Sequence, residues 1–297
     1  MNVVALIEKE GWLAEDLGRA ALELGIGLTS VCWEELAANL GKCGESVMAG
    51  NAALRDADAL LLRTMRMPSF EQVFFRMDVL HRLEAMGTMI VNSPAAVEIS
   101  VDKYRSLAMV REAGVATPDT FVCQRYEDAI RAFDALGGDV VMKPLFGSQG
   151  FGVVRISDRV MAQRAFAQLQ RMAQVAYLQA FVAGSGKEFR LFLLGDTLLA
   201  AVEKCTDQWP RNATRGTRIT PAEVDDAVVE TARVAARACG AQIAGVDVVV
   251  AEGGPPYVLE VNAMPGWKAL SHACDLDVTK CVLQFLADAK VRCSLER

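Results

Sequence analysis

Short apolar runs alternate with stretches of helical spacing through the N-terminal third of this chain, and that alternation limits its fold more than any other feature. VVALI at 3–7 reads as a strand. Residues 12–24 have helical spacing and stop at Gly25. IGLTSVCW at 26–33 is a second strand, and ALLLR at 59–63, bounded by Asp56 and Asp58, is a third. Residues 69–86 are again helical and close at Gly87, and TMIVN at 88–92 is a fourth strand, ended by Ser93-Pro94. Parallel strands need a long crossover connection, usually a helix, so the pattern predicts βαβ units and a parallel sheet.

Beyond Pro94 the pattern changes. A helix is expected over 95–113, ending at Gly114, and Thr117-Pro118 turns the chain into the strand TFVCQ. A second helix runs over 126–136 to Gly137-Gly138. VVMKP (140–144) and GVVRI (152–156) are two strands joined by a glycine-rich turn; Asp158 caps a helix to about 172, and VAYLQAFV is a further strand. EFRLFLL and TLLAAVEKC form a hairpin around Gly195-Asp196, a polar loop covers 206–220, and a helix covers 222–239. IAGVDVVVA and YVLEVN pair around Gly253-Gly254-Pro255-Pro256, and a last helix covers 268–289. No internal repeat is visible. With 297 residues, 52% of them hydrophobic, the chain can bury a large core, and we expect parts spanning 1–94, 95–184 and 185–297.

Composition narrows the chemistry. No apolar run approaches the ~20 residues a membrane helix needs. MNVVALIEKEGW lacks the basic and apolar regions of a signal peptide, so a cytoplasmic protein is expected. The eight cysteines form no C-x-x-C pair and read as reduced thiols. Only two histidines occur, His81 and His272, which leaves little for histidine-based metal or triad chemistry. A formal charge of −6 argues against broad binding to nucleic acid or an anionic membrane.

Four places carry chemical signal. LFGSQGFGVV (145–154) is not a Walker A loop, because no Lys-Ser/Thr follows, and not a Rossmann turn, because it joins two strands. Such a turn can offer backbone N–H groups to phosphates, or be an ordinary hairpin. Lys143, in the otherwise apolar VVMKP, is placed to reach an anion near it; Lys103, early in a helix, reads alone as a solvated charge. Asp247 lies in one apolar strand, and Glu260 and Asn262 lie in another, two residues apart and so on one face. If the strands pair, the three converge as hard oxygen ligands suited to Mg²⁺, or as a polar network between strands. The loop 206–218 concentrates Arg211, Arg215 and Arg218, as a solvated basic loop or an anion clamp. Trp209 and Trp267 can stack on a flat ring or serve packing.

Taken together, KPLFGSQGFGVV, GKEFRLFLLGDTLLAAVEK, AGVDVVV and VLEVNAMPG resemble the ATP-grasp ligases, and most closely the RimK-like α-L-glutamate ligases. The resemblance spans nearly the whole chain, with DKYRSLAMVREAGVATP at the entry to the nucleotide-binding part. The Trp-Lys after NAMPG is similar to the tetrahydromethanopterin–glutamate ligase branch. The resemblance implies an α/β fold, α+β in the C-terminal part, with an N-terminal parallel-sheet domain and ATP gripped between the other two parts. Carried over, Lys103 and Lys143 contact phosphates, together with the turn residues Gly147, Ser148, Gln149 and Gly150. Gln179, Ala180, Phe181 and Val182 run along the adenine, and Glu188 belongs to the same nucleotide site. Asp247, Glu260 and Asn262 hold Mg²⁺, with Mn²⁺ as a substitute. Arg190, Arg211 and Asn212 act on phosphate and substrate, and Arg63, Arg215 and Trp267 lie on the substrate side. One departure is Ala180, where RimK-like relatives often carry an acid.

The implied reaction joins a carboxylate to an amine through an acyl phosphate, with glutamate as the amine. The expected acceptor is a small-molecule carboxylate such as a pterin cofactor. The alternatives are a protein C-terminus, another amino acid, or an ATP-binding protein that has lost catalysis. No nucleic acid or membrane partner is expected, and the expected assembly is a homo-oligomer, dimer or tetramer.

Overall fold

The structure, a computed structural model, describes residues 1–295 apart from 8–10, 43, 64, 66–67, 148–149, 183–186, 206–216 and 252–253. It divides into two compact units. One joins Met1–Val97, Gly240–Ile243 and Ala263–Arg297; the other joins Glu98–Cys239 and Ala244–Asn262. Residues 263–297 of the expected third part thus lie in the first unit.

The first unit begins β1 (Asn2–Leu6), α1 (Trp12–Leu24), β2 (Gly27–Val31), β3 (Leu36–Gly41), β4 (Gly44–Ala49), β5 (Ala52–Ala53), β6 (Ala59–Leu62), α2 (Phe70–Ala85) and β7 (Ile90–Val91). Strands β2-β1-β6-β7 form a parallel sheet in that order. All four residues of β6 and four of the five in β1 are buried, which explains their unbroken apolar runs. Ser69 and Gln72 cap α2 reciprocally, side chain to backbone N–H, and fix where it starts. The antiparallel sheet β3-β4-β5 was not anticipated. Five of the six residues of β3 are exposed, so it carries no apolar alternation to read.

The chain continues with α3 (Pro94–Val101), α4 (Lys103–Glu112), β8 (Thr120–Cys123), α5 (Tyr126–Ala135), β9 (Val140–Lys143), β10 (Val154–Ile156), α6 (Arg159–Arg171) and β11 (Ala176–Ala180). The helix expected over 95–113 is two helices. Asp102 accepts from the N–H groups of Tyr104 and Arg105, which ends one helix and caps the next, so Lys103 opens α4. Strands β10-β9-β11-β8 form an antiparallel sheet, and Phe133, Val140, Ile156, Phe166 and Leu178 build its core with α5 and α6.

The last elements are β12 (Lys187–Leu194), β13 (Thr197–Cys205), β14 (Arg218–Pro221), α7 (Asp226–Ala238), β15 (Ile243–Val250), β16 (Pro256–Asn262), α8 (Lys268–Cys274) and α9 (Val278–Leu295). Strands β14-β13-β12-β15-β16 make a five-stranded sheet. Two expectations are corrected here. Residues 218–220, read as loop, form β14 with Pro221 and pair with β13, and α7 starts at Asp226 rather than 222. The helix expected over 268–289 breaks after Cys274, where Asp275 takes a left-handed conformation (φ 48°). Helices α1 and α9 pack within the first unit, and Arg19 ties them by pairing with Asp16, Glu23 and Asp277.

Candidate active site

The acids in the apolar strands meet as the pairing of β15 and β16 dictates. Asp247 lies opposite Glu260, and Gly245 lies opposite Asn262. Opposed residues of an antiparallel pair share a face, as do Glu260 and Asn262 two residues apart, so all three side chains belong to one side of the sheet. An irregularity in the ladder follows Asp247 directly.

Asp247 is almost fully buried, and two cations account for how that is tolerated. From β12, Arg190 donates Nε and one terminal nitrogen to its two oxygens at 2.7 and 2.8 Å. From β13, Lys204 Nζ donates to Asp247 Oδ2 at 2.8 Å and to Glu188 Oε1 at 2.7 Å. Burial alone would raise the pKa of Asp247, but Arg190 and Lys204 outweigh it and hold the carboxyl well below the carboxylate range. Asp247 in turn pushes the Arg190 guanidinium up, against burial. For Lys204, burial pulls down, and Asp247 and Glu188 overcome it, leaving the ammonium raised. Lys204 was not among the residues singled out in the sequence. A lysine in the apolar strand TLLAAVEKC is the same signal that marked Lys143 in VVMKP.

The glycine-turn region is built differently. Lys143, at the end of β9, donates to the side-chain carbonyl of Gln179 at 2.7 Å. Gln179 donates its amide to Thr120 Oγ1 at 3.1 Å, which orients it with its oxygen toward the lysine. Burial lowers the Lys143 pKa to about 8; Glu260 opposes that shift and Lys103 reinforces it. Lys103 is buried and donates to the Gly147 carbonyl at 2.8 Å. Gly147, Gly150 and Gly152 all have positive φ, and a Cβ on Gly152 would stand 2.7 Å from Pro144 Cγ. The backbone therefore turns closely over the end of β9, with Lys103 and Lys143 beside it. Ser148 and Gln149 lie outside the described residues.

At the end of β11, Ala180 N–H donates to Asp119 O and, just beyond it, Phe181 N–H donates to Asp139 O, at 2.8 and 3.0 Å. Arg155 of β10 stacks on the Phe181 ring at 3.6 Å while gripping both oxygens of Asp139. Ala180, Phe181 and Val182 are half-buried. In the first unit, Arg63 and Trp267 pack on each other, the guanidinium 4.0 Å from the indole centre, with exposures of 2% and 1%. They expose almost no surface to a substrate here. Arg211, Asn212 and Arg215, with Trp209, lie outside the described residues.

Three hard oxygen donors on one sheet face fit Mg²⁺, which takes few protein oxygens and completes its shell from water and phosphate. Glu260 and Asn262 are half-buried, whereas Asp247 is drawn toward Arg190 and Lys204. Among the described residues no cluster of three or more His, Cys, Asp or Glu occurs, so the amide oxygen of Asn262 is integral to any such set.

A model of the RimK-like ATP-grasp domain matches residues 100–286. The chain is 28% identical to the tetrahydromethanopterin:α-L-glutamate ligase of Methanosarcina acetivorans, over 95% of this chain and 97% of that one. It is 32% identical to a probable α-L-glutamate ligase of Pseudoalteromonas translucida, over 72% of each. Among solved structures, the ATP-grasp ligase PsnB in complex with a precursor variant, Mg and ADP superposes with a TM-score of 0.77 at 20% identity, over 97% of this chain and 98% of that one. No described helix is long and apolar enough to cross a membrane.

Proposed function

The chain belongs to the RimK-like ATP-grasp family and is an ATP-dependent ligase that forms C–N bonds; from that premise we propose that it adds L-glutamate to the carboxylate of a small, ring-bearing acceptor of the pterin type. The observation that carries the acceptor class is the end-to-end match to a tetrahydromethanopterin:α-L-glutamate ligase, 95% of one chain against 97% of the other.

The chemistry asked of the site is charge neutralisation and alignment rather than nucleophilic attack by a side chain. A carboxylate oxygen of the acceptor attacks the γ-phosphorus of ATP, and ADP leaves. The amine of glutamate then attacks the acyl carbon, inorganic phosphate leaves, and the nitrogen gives up a proton. Among the described residues Lys103 and Lys143 donate to neutral oxygens, of Gly147 and Gln179, and either can exchange that partner for a phosphate oxygen at a gain in charge pairing. Mg²⁺, when bound, supplies positive charge to the phosphates, and Asp247, Glu260 and Asn262 are the side chains that would hold it. Arg190 and Lys204 keep Asp247 ionised and fixed in direction. Arg211, Asn212 and Arg215 are the residues this reading assigns to the acyl phosphate and the acceptor, by the family resemblance of the sequence. Manganese can take the same oxygen donors.

Phosphate release from ATP, measured with glutamate and each candidate acceptor alone and together, tests this reading. Release that needs both glutamate and a pterin-type carboxylate is the expected result. Release that needs a peptide C-terminus, or an amino acid other than glutamate, overturns the substrate assignment.

A further inference from the structure

Two buried polar side chains reach the backbone that immediately follows the Glu260–Asn262 donors. Asn92, just after β7 and only 1% exposed, uses its whole amide. Its Nδ2 donates to the carbonyls of Ile243, at 2.7 Å, and of Ala263. Its Oδ1 accepts from the N–H groups of Gln242 and Ile243, at 2.7 and 2.9 Å. Two donor hydrogens and two acceptor lone pairs are all that an asparagine amide has. Arg63, just after β6, donates to the Pro265 carbonyl at 2.5 Å and lies on the Trp267 ring.

The places these bonds fall are specific. Ala263 is bonded covalently to Asn262, and its carbonyl and that of Pro265 flank Met264. Ile243 opens β15, two residues before Gly245, which faces Asn262 in the ladder. Asn92 therefore holds the first residue of one strand to the residue after the last of the other. A strand pair is free to slip or fray at such an end, and a slip of one residue would turn Glu260 and Asn262 to the opposite face. No carboxylate can replace Asn92, because it would bring acceptors to the Ile243 and Ala263 carbonyls and no donors.

We propose that Asn92 and Arg63 are positioning residues for the metal-binding oxygens, acting through the backbone of Ile243 and of Ala263–Pro265 to set Glu260 and Asn262. This rests on the Mg²⁺ assignment made under the proposed function. It also gives Arg63 a task that its burial against Trp267 permits.

The test is Mn²⁺ binding to the full chain in the presence of a non-hydrolysable ATP analogue, followed by the loss of the free-ion electron paramagnetic resonance signal. Asn92→Ala should weaken Mn²⁺ binding about 10- to 100-fold, the range for residues that orient metal ligands, while metal-free affinity for the analogue stays within about twofold. Arg63→Met, which keeps the stem and removes the donor, should weaken it about fivefold. Glu260→Gln is the control for the assignment beneath: if it binds Mn²⁺ as the wild type does, the metal reading itself fails. If Glu260→Gln is impaired while both other variants bind normally, the positioning proposal is overturned. Normal binding by Arg63→Met alone removes Arg63 from it. Should Asn92→Ala not fold, Arg63→Met decides, because the hydrogen-bond partner it leaves behind is the neutral Pro265 carbonyl rather than a buried charge.

Discussion

The site contains two lysines in different settings, Lys204 buried and Lys143 half-buried. Lys204 sits between two carboxylates, Asp247 and Glu188, and its pKa is raised in spite of burial. Lys143 sits against the neutral oxygen of Gln179, and its pKa is lowered to about 8. Both are ammonium groups at the ends of apolar strands, yet among the described residues only Lys204 of the two is hydrogen-bonded to carboxylates, while Lys143 feels Glu260 and its neighbours at longer range. A cation answered internally fixes geometry. One left facing a dipole pays for its burial only when an anion arrives, so the contrast separates the part of the site that holds shape from the part that waits for phosphate.

The same substitution at both positions should break the comparison most visibly. Lys204→Met leaves the buried Asp247 with one cation instead of two and the half-buried Glu188 without its lysine. Removing one partner of a buried ion pair typically costs about 3–5 kcal/mol, so the free energy of unfolding should fall by about that much. Denaturant melts measure it. A loss below about 1 kcal/mol, the range of exposed pairs, would show that the cluster is solvated and does not hold the strands.

Lys143→Met should do the reverse to stability and strike binding instead. The variant removes a charge that burial disfavours, so the folded state should be no less stable than the wild type. Affinity for a metal-free ATP analogue should drop about 10- to 150-fold, the equivalent of one charge-assisted hydrogen bond of ~1.5–3 kcal/mol. Calorimetric titration beside a thermal melt reads both. A destabilised variant with unchanged affinity would move Lys143 into the same class as Lys204.

How much of this contrast could be read from residue order alone depends on distance along the chain. An acid or lysine inside an apolar strand is conspicuous, which is why Asp247, Glu260 and Lys143 stood out. Lys204 carries the same mark, but a lysine next to a glutamate at a strand end equally fits an exposed position. The pairings themselves are invisible locally: Arg190 meets Asp247 from 57 residues away, and Asn92 meets Ala263 from 171. Asn92 looks like the polar residue that ends a strand before Ser93-Pro94, and nothing nearby reveals that its amide bonds to Gln242, Ile243 and Ala263. The parallel sheet was legible because β1 and β6 are buried on both faces. The small sheet β3-β4-β5 was not, because its strands are short of buried residues and turn on Gly44 and Gly50.

The smallest effect expected, and the one that sharpens the comparison furthest, is on pH. Lys143 has a folded pKa of about 8 against 10.5 for an ordinary lysine. Between those values the unfolded chain keeps a proton that the folded chain has released, so this residue makes stability rise with pH across that window. Below pH 8 it is protonated in both states and its burial penalty is fully present. Nucleotide binding has the opposite sign. Phosphate favours the ammonium, so metal-free affinity should be level below pH 8 and fall above it, by at most about tenfold per pH unit for one linked proton. Asp247 does not titrate in this range, because Arg190 and Lys204 hold its pKa far below it, and the pKa of Lys204 is raised. Titrations of the analogue at pH 7.5, 8.5 and 9.5 (in two buffers of different ionisation enthalpy) would register the decline and the proton taken up on binding. In Lys143→Met both should vanish. A wild-type profile that stays flat, together with the expected loss of affinity in Lys143→Met, would mean that Gln179 and Glu260 keep Lys143 charged in spite of its burial, and the difference between the two lysines would then lie in partner geometry rather than in charge state.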